Sequence, residues 1–139
     1  MTDLDGTVCI VGGGGNGIGE ATARELAAHG ARVVVNDVGS DVHGRGADPA
    51  VAEAVAEDIR EDGGTVMGHA GDLTDFDDAD ELVADTVSEF GRVDAVYNFA
   101  GILRDDISYK LDEDDWRAVI ETNLTGQFTL LQAACKHWR

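Results

Sequence analysis

Apolar and polar residues along this chain follow two alternating patterns. Short apolar runs rich in valine have the length of buried strands, and each is followed by a longer segment with apolar residues every three or four positions. The short runs predict strands at residues 7–11, 32–36, 65–69 and 95–99. The longer segments predict helices at residues 17–29, 49–62, 74–90 and 112–137, the third with Thr74 as its N-cap.

The first predicted strand leads directly into a glycine-rich turn, and the second ends at Asp37. Five of the six residues from 12 to 17 are glycine, so both G-x-G-x-x-G and G-x-x-x-G-x-G spacings occur. Glycines let backbone N–H groups approach a pyrophosphate, and a helix N-terminus favours negative charge. A carboxylate about 20 residues further on can accept hydrogen bonds from ribose hydroxyls. This order predicts a dinucleotide site, and the alternative is a turn that binds no ligand.

The regular alternation of strands and helices favours one fold class. Parallel strands joined by right-handed helical crossovers bury both faces of a sheet. We therefore expect an α/β fold, namely a Rossmann-like doubly wound parallel sheet with helices on both faces, truncated after the fourth strand and its helix. Residues 1–139 are expected to form one domain, long enough to bury a sizeable core.

The net charge of −18 excludes several classes of partner. Such a charge repels nucleic acid and anionic membrane surfaces, and 43% hydrophobic residues in periodic runs argue against disorder. Without an apolar run of membrane-spanning length or a signal peptide, we expect a soluble cytoplasmic protein. The aspartate-rich, lysine-poor composition also suggests a halophile, since salt near 1 M shortens the Debye length to about 3 Å.

Cysteines and histidines give no sign of a metal or a disulfide. Cys9 and Cys135 are far apart in sequence, so both are expected to be reduced and structural. The four histidines lack the spacing of metal ligands, and no metal site is predicted.

Four motifs in order along the chain resemble those of the short-chain dehydrogenase/reductase family. They are Gly13-x-x-x-Gly17-Ile18-Gly19, Asp72-Leu73, Asn98-Phe99-Ala100-Gly101 and Asn123-Leu124. More narrowly, residues 33–39 and 100–105 are similar to the hydroxyacyl-CoA dehydrogenase unit of peroxisomal multifunctional enzymes. The resemblance spans nearly the whole chain.

The resemblance implies NAD as the cofactor and assigns residues to it. Asp37 favours NAD over NADP, because its carboxylate repels the extra ribose phosphate. Asn123 matches the asparagine of the family's catalytic tetrad. The implied cofactor-binding residues are Gly13, Asn16, Gly17, Ile18, Gly19, Asp37, Asp72, Leu73, Asn98, Ala100 and Gly101.

Each assignment has a structural alternative. Asp37 can be a solvated acid at a strand end, and Asp72 can cap the third helix. Asn98 can satisfy backbone groups beside the glycine turn, which the resemblance implies as its ordinary role. Asn123 can be an ordinary polar residue of a helix. Asn36 is interpreted as a turn residue.

Three departures from the family's pattern are visible. Gly12 replaces a threonine that braces the glycine turn, so we expect a looser site, and Phe99 replaces an asparagine and is expected to pack apolar surface. The family's reaction needs a tyrosine general acid/base with a lysine four residues later and an upstream serine, which the resemblance places beyond residue 139. Neither Tyr97 nor Tyr109 has a lysine at that spacing, since Gly101 and Glu113 stand there.

The sequence therefore favours the cofactor-binding part of an NAD-dependent oxidoreductase that interconverts a secondary alcohol and a ketone. The resemblance implies a small-molecule substrate, for which a 3-hydroxyacyl thioester is one candidate. One alternative is a catalytically inactive nucleotide-binding or assembly module. A methyltransferase is disfavoured by residues 98–101 and the Gly17-Ile18-Gly19 ending. The helix over residues 112–137 is apolar on more than one side, and the resemblance implies that it packs between subunits. We therefore expect homo-oligomerisation or aggregation through it.

Overall fold

The computed structural model describes residues 3–139 as a parallel sheet packed between helices. The strands lie in the order β3-β2-β1-β4, and every pair is parallel. The elements are β1 (Val8–Gly12), α1 (Gly17–Ala28), β2 (Arg32–Asn36), α2 (Ala50–Glu61), β3 (Thr65–His69), α3 (Phe76–Phe90), β4 (Ala95–Asn98), α4 (Glu113–Ile120), a π-helical segment (Glu121–Thr125) and α5 (Gly126–Trp138). The predicted α/β class is confirmed.

The two faces of the sheet bury alternate residues of the central strands, because successive side chains of a strand point to opposite faces. Cys9 and Val11 of β1 pack with residues of α1 and α2 in one core. Ile10, between them, packs with residues of α3 and α5 in a second core. Helices therefore cover both faces, as a doubly wound sheet requires.

Asp94 joins the starts of β1 and β4. One of its carboxylate oxygens accepts a hydrogen bond from Val8 N at 2.8 Å, and the other pairs with Arg92 at 2.5 Å. The hydrogen bond from Arg92, with that from Val8, lowers the pKa of Asp94 below its ordinary value. A carboxyl with a lowered pKa in the folded state stabilises the fold above its ordinary pKa, and this contribution is lost as the pH falls through the folded value.

The third helix begins one residue later than expected. Its N-cap is Asp75, whose side chain accepts hydrogen bonds from Asp77 N at 2.7 Å and Asp78 N at 3.3 Å. The predicted cap, Thr74, is wrong, because its hydroxyl donates instead to Asp72 Oδ1 at 2.8 Å. A carboxylate that accepts two backbone N–H groups satisfies more of the helix start than one hydroxyl could.

The long helix predicted over residues 112–137 is interrupted. The π-helical segment Glu121–Thr125 separates α4 from α5, and a π turn places an extra residue in the helix, which shifts the apolar positions around its axis. Leu130, Ala133 and Ala134 consequently face the core. The expected apolar surface is exposed, and it includes Trp116, Ile120, Leu124, Phe128 and Leu131. Among residues 3–139, no helix has the length and apolar character needed to cross a bilayer.

Two adjacent leucines of α5 provide a test of this packing. Leu130 is 1% exposed and Leu131 is 50% exposed. We expect Leu130→Ala to lower the free energy of unfolding by about 2–5 kcal/mol, because it leaves a cavity between α5 and the sheet. Leu131→Ala, the matched control with the same change in helix propensity, should cost clearly less. Urea unfolding followed by circular dichroism measures both, and equal losses would contradict the packing described here.

Candidate functional site

A cleft of about 320 Å³ opens at the carboxyl ends of the strands. The chain passes from β1 to β2 on one side and later crosses to β4 on the other, so this edge is where the strand order reverses. Ligands of open α/β sheets bind at such a switch point. Among the predicted cofactor-binding residues, the cleft is lined by Gly13, Asn16, Asp37, Asp72, Leu73, Ala100 and Gly101.

The glycine turn packs its backbone directly against the segment that follows β4. Gly13 has φ +66°, and a Cβ there would lie 2.6 Å from Ala100 N and 2.7 Å from the carbonyl carbon of Phe99. A Cβ at Gly19 would collide with the carbonyl oxygen of Gly13. Gly17 also has a positive φ of +53°, but the space beside it is open. Close backbone packing therefore requires glycine at 13 and 19, and conformation favours it at 17.

Gly12 lies close to the side chains of Leu73 and Asn98. A Cβ at this position would lie 2.6 Å from Leu73 Cδ1 and 2.9 Å from Asn98 Oδ1. Leu73 is almost fully buried, and Asn98 Oδ1 accepts a hydrogen bond from Ala100 N at 3.0 Å. Both side chains therefore occupy the space beside Gly12, and the expectation of a looser site stays a prediction. Phe99 is 41% exposed and lines the cleft rather than packing fully away from solvent.

The carboxylate of Asp37 is fixed at the cleft by two backbone donors. Oδ2 accepts from Gly15 N at 2.9 Å, and Oδ1 accepts from Gly39 N at 2.7 Å. The residue is 8% exposed, so it is not the solvated acid of the alternative interpretation. Each carboxylate oxygen has a second lone pair, which leaves room for a hydroxyl donor from a ligand.

Asn36 has a role that the sequence analysis missed. It lies in β2 with 1% exposure, and its amide binds both backbone groups of Gly71, accepting from N at 2.9 Å and donating to O at 3.2 Å. Its Oδ1 also lies 2.8 Å from His69 Nδ1. Asn36 is therefore not a turn residue, and it holds the segment after β3 at the cleft. The sequence did offer a signal for this role, namely a polar residue in a predicted buried strand immediately before Asp37.

The Asp72-Leu73 pair lies at the cleft and is tightly bonded. Asp72 Oδ1 accepts from both the backbone N and the hydroxyl of Thr74, at 2.9 and 2.8 Å, while Asp72 N donates to Asp78 Oδ2 at 2.8 Å. Asp72 is thus not the N-cap of α3. The carbonyl of Leu73 accepts a hydrogen bond from the buried hydroxyl of Thr129 in α5.

Asn98 and Asn123 hold the segment after β4. Asn98 Nδ2 donates to Gly126 O at 2.9 Å, while its Oδ1 binds Ala100 N. Asn123 lies in the π-helical segment and binds Ile102 at both backbone groups, accepting from N at 2.8 Å and donating to O at 3.0 Å. Five predicted residues are not among those that line the cleft: Gly17, Ile18, Gly19, Asn98 and Asn123.

The cysteines, Lys110 and Tyr109 do not line the cleft. Burial raises the pKa of the Cys9 thiol, with a further contribution from Asp94, while Cys135 is exposed and free. Lys110 Nζ lies 5.9 Å from the centre of the Tyr109 ring. Over the range 3–139, no group of three or more histidine, cysteine, aspartate or glutamate side chains could hold a metal ion.

Known proteins resemble this chain in sequence or in fold. The 3-oxoacyl-[acyl-carrier-protein] reductase of Synechocystis is 40% identical over 98% of the chain and 52% of its own length, and the peroxisomal multifunctional enzyme type 2 of Mus musculus is 36% identical over 98% of the chain and 18% of its own length. The crystal structure of a short chain dehydrogenase from Mycobacterium avium superimposes with a TM-score of 0.90 at 39% identity, covering 99% of this chain and 49% of its own.

The chain spans about half the length of the curated reductase and of the solved structure that it matches. The family model for short chain dehydrogenases matches residues 7–139, which includes the glycine turn, the cleft and the helices on both faces of the sheet. The chain belongs to the short chain dehydrogenase family.

Proposed function

We propose that the chain forms the NAD-binding part of an oxidoreductase that interconverts a secondary alcohol and a ketone. The proposal depends on one observation. The backbone of Gly13 packs against Ala100, and Gly13 and Asn16, the N-cap residue of α1, line the cleft beside the buried carboxylate of Asp37. A diphosphate fits the first feature and the ribose hydroxyls of adenosine fit the second.

NAD is preferred over NADP in this proposal because of the charge at the cleft. Asp37 and Asp41 both line it, and the hydrogen bond from Arg45 N lowers the pKa of Asp41 below its ordinary value. A ribose phosphate would meet these anions at short range, where like charges repel strongly. The two hydroxyls of an unphosphorylated ribose can instead donate to Asp37.

The relatives support a proposal for the substrate class. A reductase that resembles this chain is named for 3-oxoacyl groups, and residues 100–105 resemble the hydroxyacyl-CoA dehydrogenase unit of peroxisomal multifunctional enzymes. We therefore infer that the full activity concerns 3-hydroxyacyl or 3-oxoacyl thioesters. In this proposal Asn123 takes part by holding Ile102, and thereby the cleft wall after β4, in place.

Proton transfer is the step that residues 1–139 do not provide in this proposal. Oxidation of an alcohol by NAD removes a hydride and a proton, and the proton needs a base with a pKa near the working pH. Tyr97 and Tyr109 lack a lysine four residues on, and Tyr109 is 79% exposed. We propose that these residues bind the cofactor and that the proton-transferring tyrosine and lysine lie outside this sequence.

Exchange of aspartate for asparagine at position 37 tests the choice of cofactor. We expect NADH to bind at least about tenfold more tightly than NADPH, and Asp37→Asn to remove most of this difference, because the amide carries no charge and keeps only one of the two oxygens that accept hydrogen bonds. Isothermal titration calorimetry with both cofactors measures the ratio. Glu57→Gln, an exposed acid on α2, is the control for removal of one charge. The absence of NADH binding, or an unchanged ratio, would refute the assignment.

The packing of the glycine turn is tested by two alanine substitutions. Gly13→Ala introduces both a positive-φ strain and a backbone collision, whereas Gly17→Ala introduces the strain alone. We expect Gly17→Ala to cost about 1–2 kcal/mol of unfolding free energy and Gly13→Ala about 1–3 kcal/mol more. Denaturant unfolding checks the difference, and equal costs would show that the turn does not pack closely on Ala100.

We also propose that the chain self-associates through residues 112–137. Leu124 and Phe128 are 64% and 52% exposed, and such apolar surface is unusual for a monomer. Light scattering should give the mass of an oligomer, and Leu124→Glu should shift it toward monomer, because a buried unpaired charge opposes association. Tyr109→Glu, at another exposed apolar position, is the control and should leave the mass unchanged. A monodisperse monomer of the unsubstituted protein contradicts the proposal.

A further inference from the structure

The segment after β2 is an ordered loop that is held together by its own hydrogen bonds. Residues 38–48, called the Ω-loop below, have their ends joined by a hydrogen bond from Asp48 N to Val38 O at 3.1 Å. In the middle, Asp41 Oδ1 accepts from His43 N and Arg45 N, both at 2.9 Å. These bonds fold residues 41–45 into a compact tip.

The tip of the Ω-loop docks on the segment after β4. Leu103 N donates to Val42 O at 2.9 Å, and His43 Nδ1 lies 2.8 Å from Leu103 O. Gly44 lies so close to Ile102 that a Cβ there would be 2.9 Å from the Ile102 Cγ2. Two segments from opposite sides of β1 therefore meet across the sheet edge.

This contact completes one wall of the cleft. Ser40, Asp41 and Val42 of the Ω-loop line the cleft, and so does the segment 99–102 on which the loop docks. Asp37, immediately before the loop, is held by Gly39 N. The position of the loop therefore sets the shape of the cleft next to the carboxylate of Asp37.

Arg104 connects this wall to the helical layer. Its Nε donates to His43 O at 2.7 Å, and its Nη1 lies 3.1 Å from Asp115 Oδ1 in α4. The side chain is 19% exposed, which makes its ion pair less screened by solvent than an exposed pair. A guanidinium presents several donors in a rigid fork, so one side chain can join the Ω-loop, its own segment and α4.

We propose that Arg104 is a positioning residue that holds the tip of the Ω-loop against the segment after β4 and thereby shapes the adenosine end of the cleft. This inference rests on the proposed function, since it concerns the affinity for NADH. A loop already fixed in its bound position loses little conformational entropy when a ligand arrives. Release of the loop should therefore weaken binding, although Arg104 itself does not line the cleft.

The test combines a binding measurement with amide hydrogen exchange. In Arg104→Ala we expect the dissociation constant of NADH, measured by calorimetry, to rise about tenfold, which corresponds to about 1.4 kcal/mol. We expect the Leu103 amide to exchange faster, because its acceptor Val42 moves away with the loop. Amides of β1 and β2 should keep their protection, which separates loop release from general destabilisation.

Two further variants sharpen the outcome. Arg117→Ala removes an exposed cation of α4 that pairs with Glu113, and it should change neither measurement. Arg104→Lys keeps a positive charge near Asp115, but its single ammonium group cannot reproduce the bonds to both His43 O and Asp115. It should give an NADH affinity and a Leu103 exchange rate between those of the unsubstituted protein and Arg104→Ala.

The outcomes separate the inference from the proposed function. Faster exchange at Leu103 with unchanged NADH affinity refutes the role of Arg104 in binding, and unchanged exchange refutes its role in holding the loop. Failure of the unsubstituted protein to bind NADH refutes the proposed function itself, while the exchange of Leu103 still reports whether Arg104 holds the loop.

Discussion

The cleft depends on how the chain satisfies backbone groups where four parallel strands stop. Beyond that edge there is no further sheet to pair with, and a buried peptide group without a partner is costly. Asparagine amides provide the partners, since each can donate and accept at once. The three sets of bonds join Asn36 to Gly71, Asn98 to Ala100 and Gly126, and Asn123 to Ile102.

Close backbone packing is the second constraint on the cleft, and it follows from the first. Because Asn98 fixes the segment after β4, that segment can approach the glycine turn until Gly13 and Ala100 are in contact. A side chain at Gly13 would separate the two segments. Packing is equally close at Gly12, where the side chains of Leu73 and Asn98 occupy the space that a Cβ would need. The backbone segments around the cleft therefore contact one another directly.

Charge adds a third constraint, since the chain carries 28 acidic side chains and 10 arginines and lysines. Acids near the cleft are held in place by backbone N–H groups, as Asp37 is by Gly15 and Gly39. Arg104 is a cation near this acidic cleft. Its guanidinium is mostly buried and bonds to a backbone carbonyl as well as to a carboxylate. That combination explains how one cation can organise a loop over an anionic cleft.

The sequence by itself determined the strands, most helix limits, the glycine turn and the acid at Asp37, because burial and turn geometry leave a local signature in residue spacing. It could not determine the N-cap at Asp75, the π-helical segment or the docking of the Ω-loop. It also missed Asn36, whose partner Gly71 is 35 residues away. Hydrogen bonds between such distant residues leave no periodic trace, so only the tertiary structure decided which polar side chains shape the cleft.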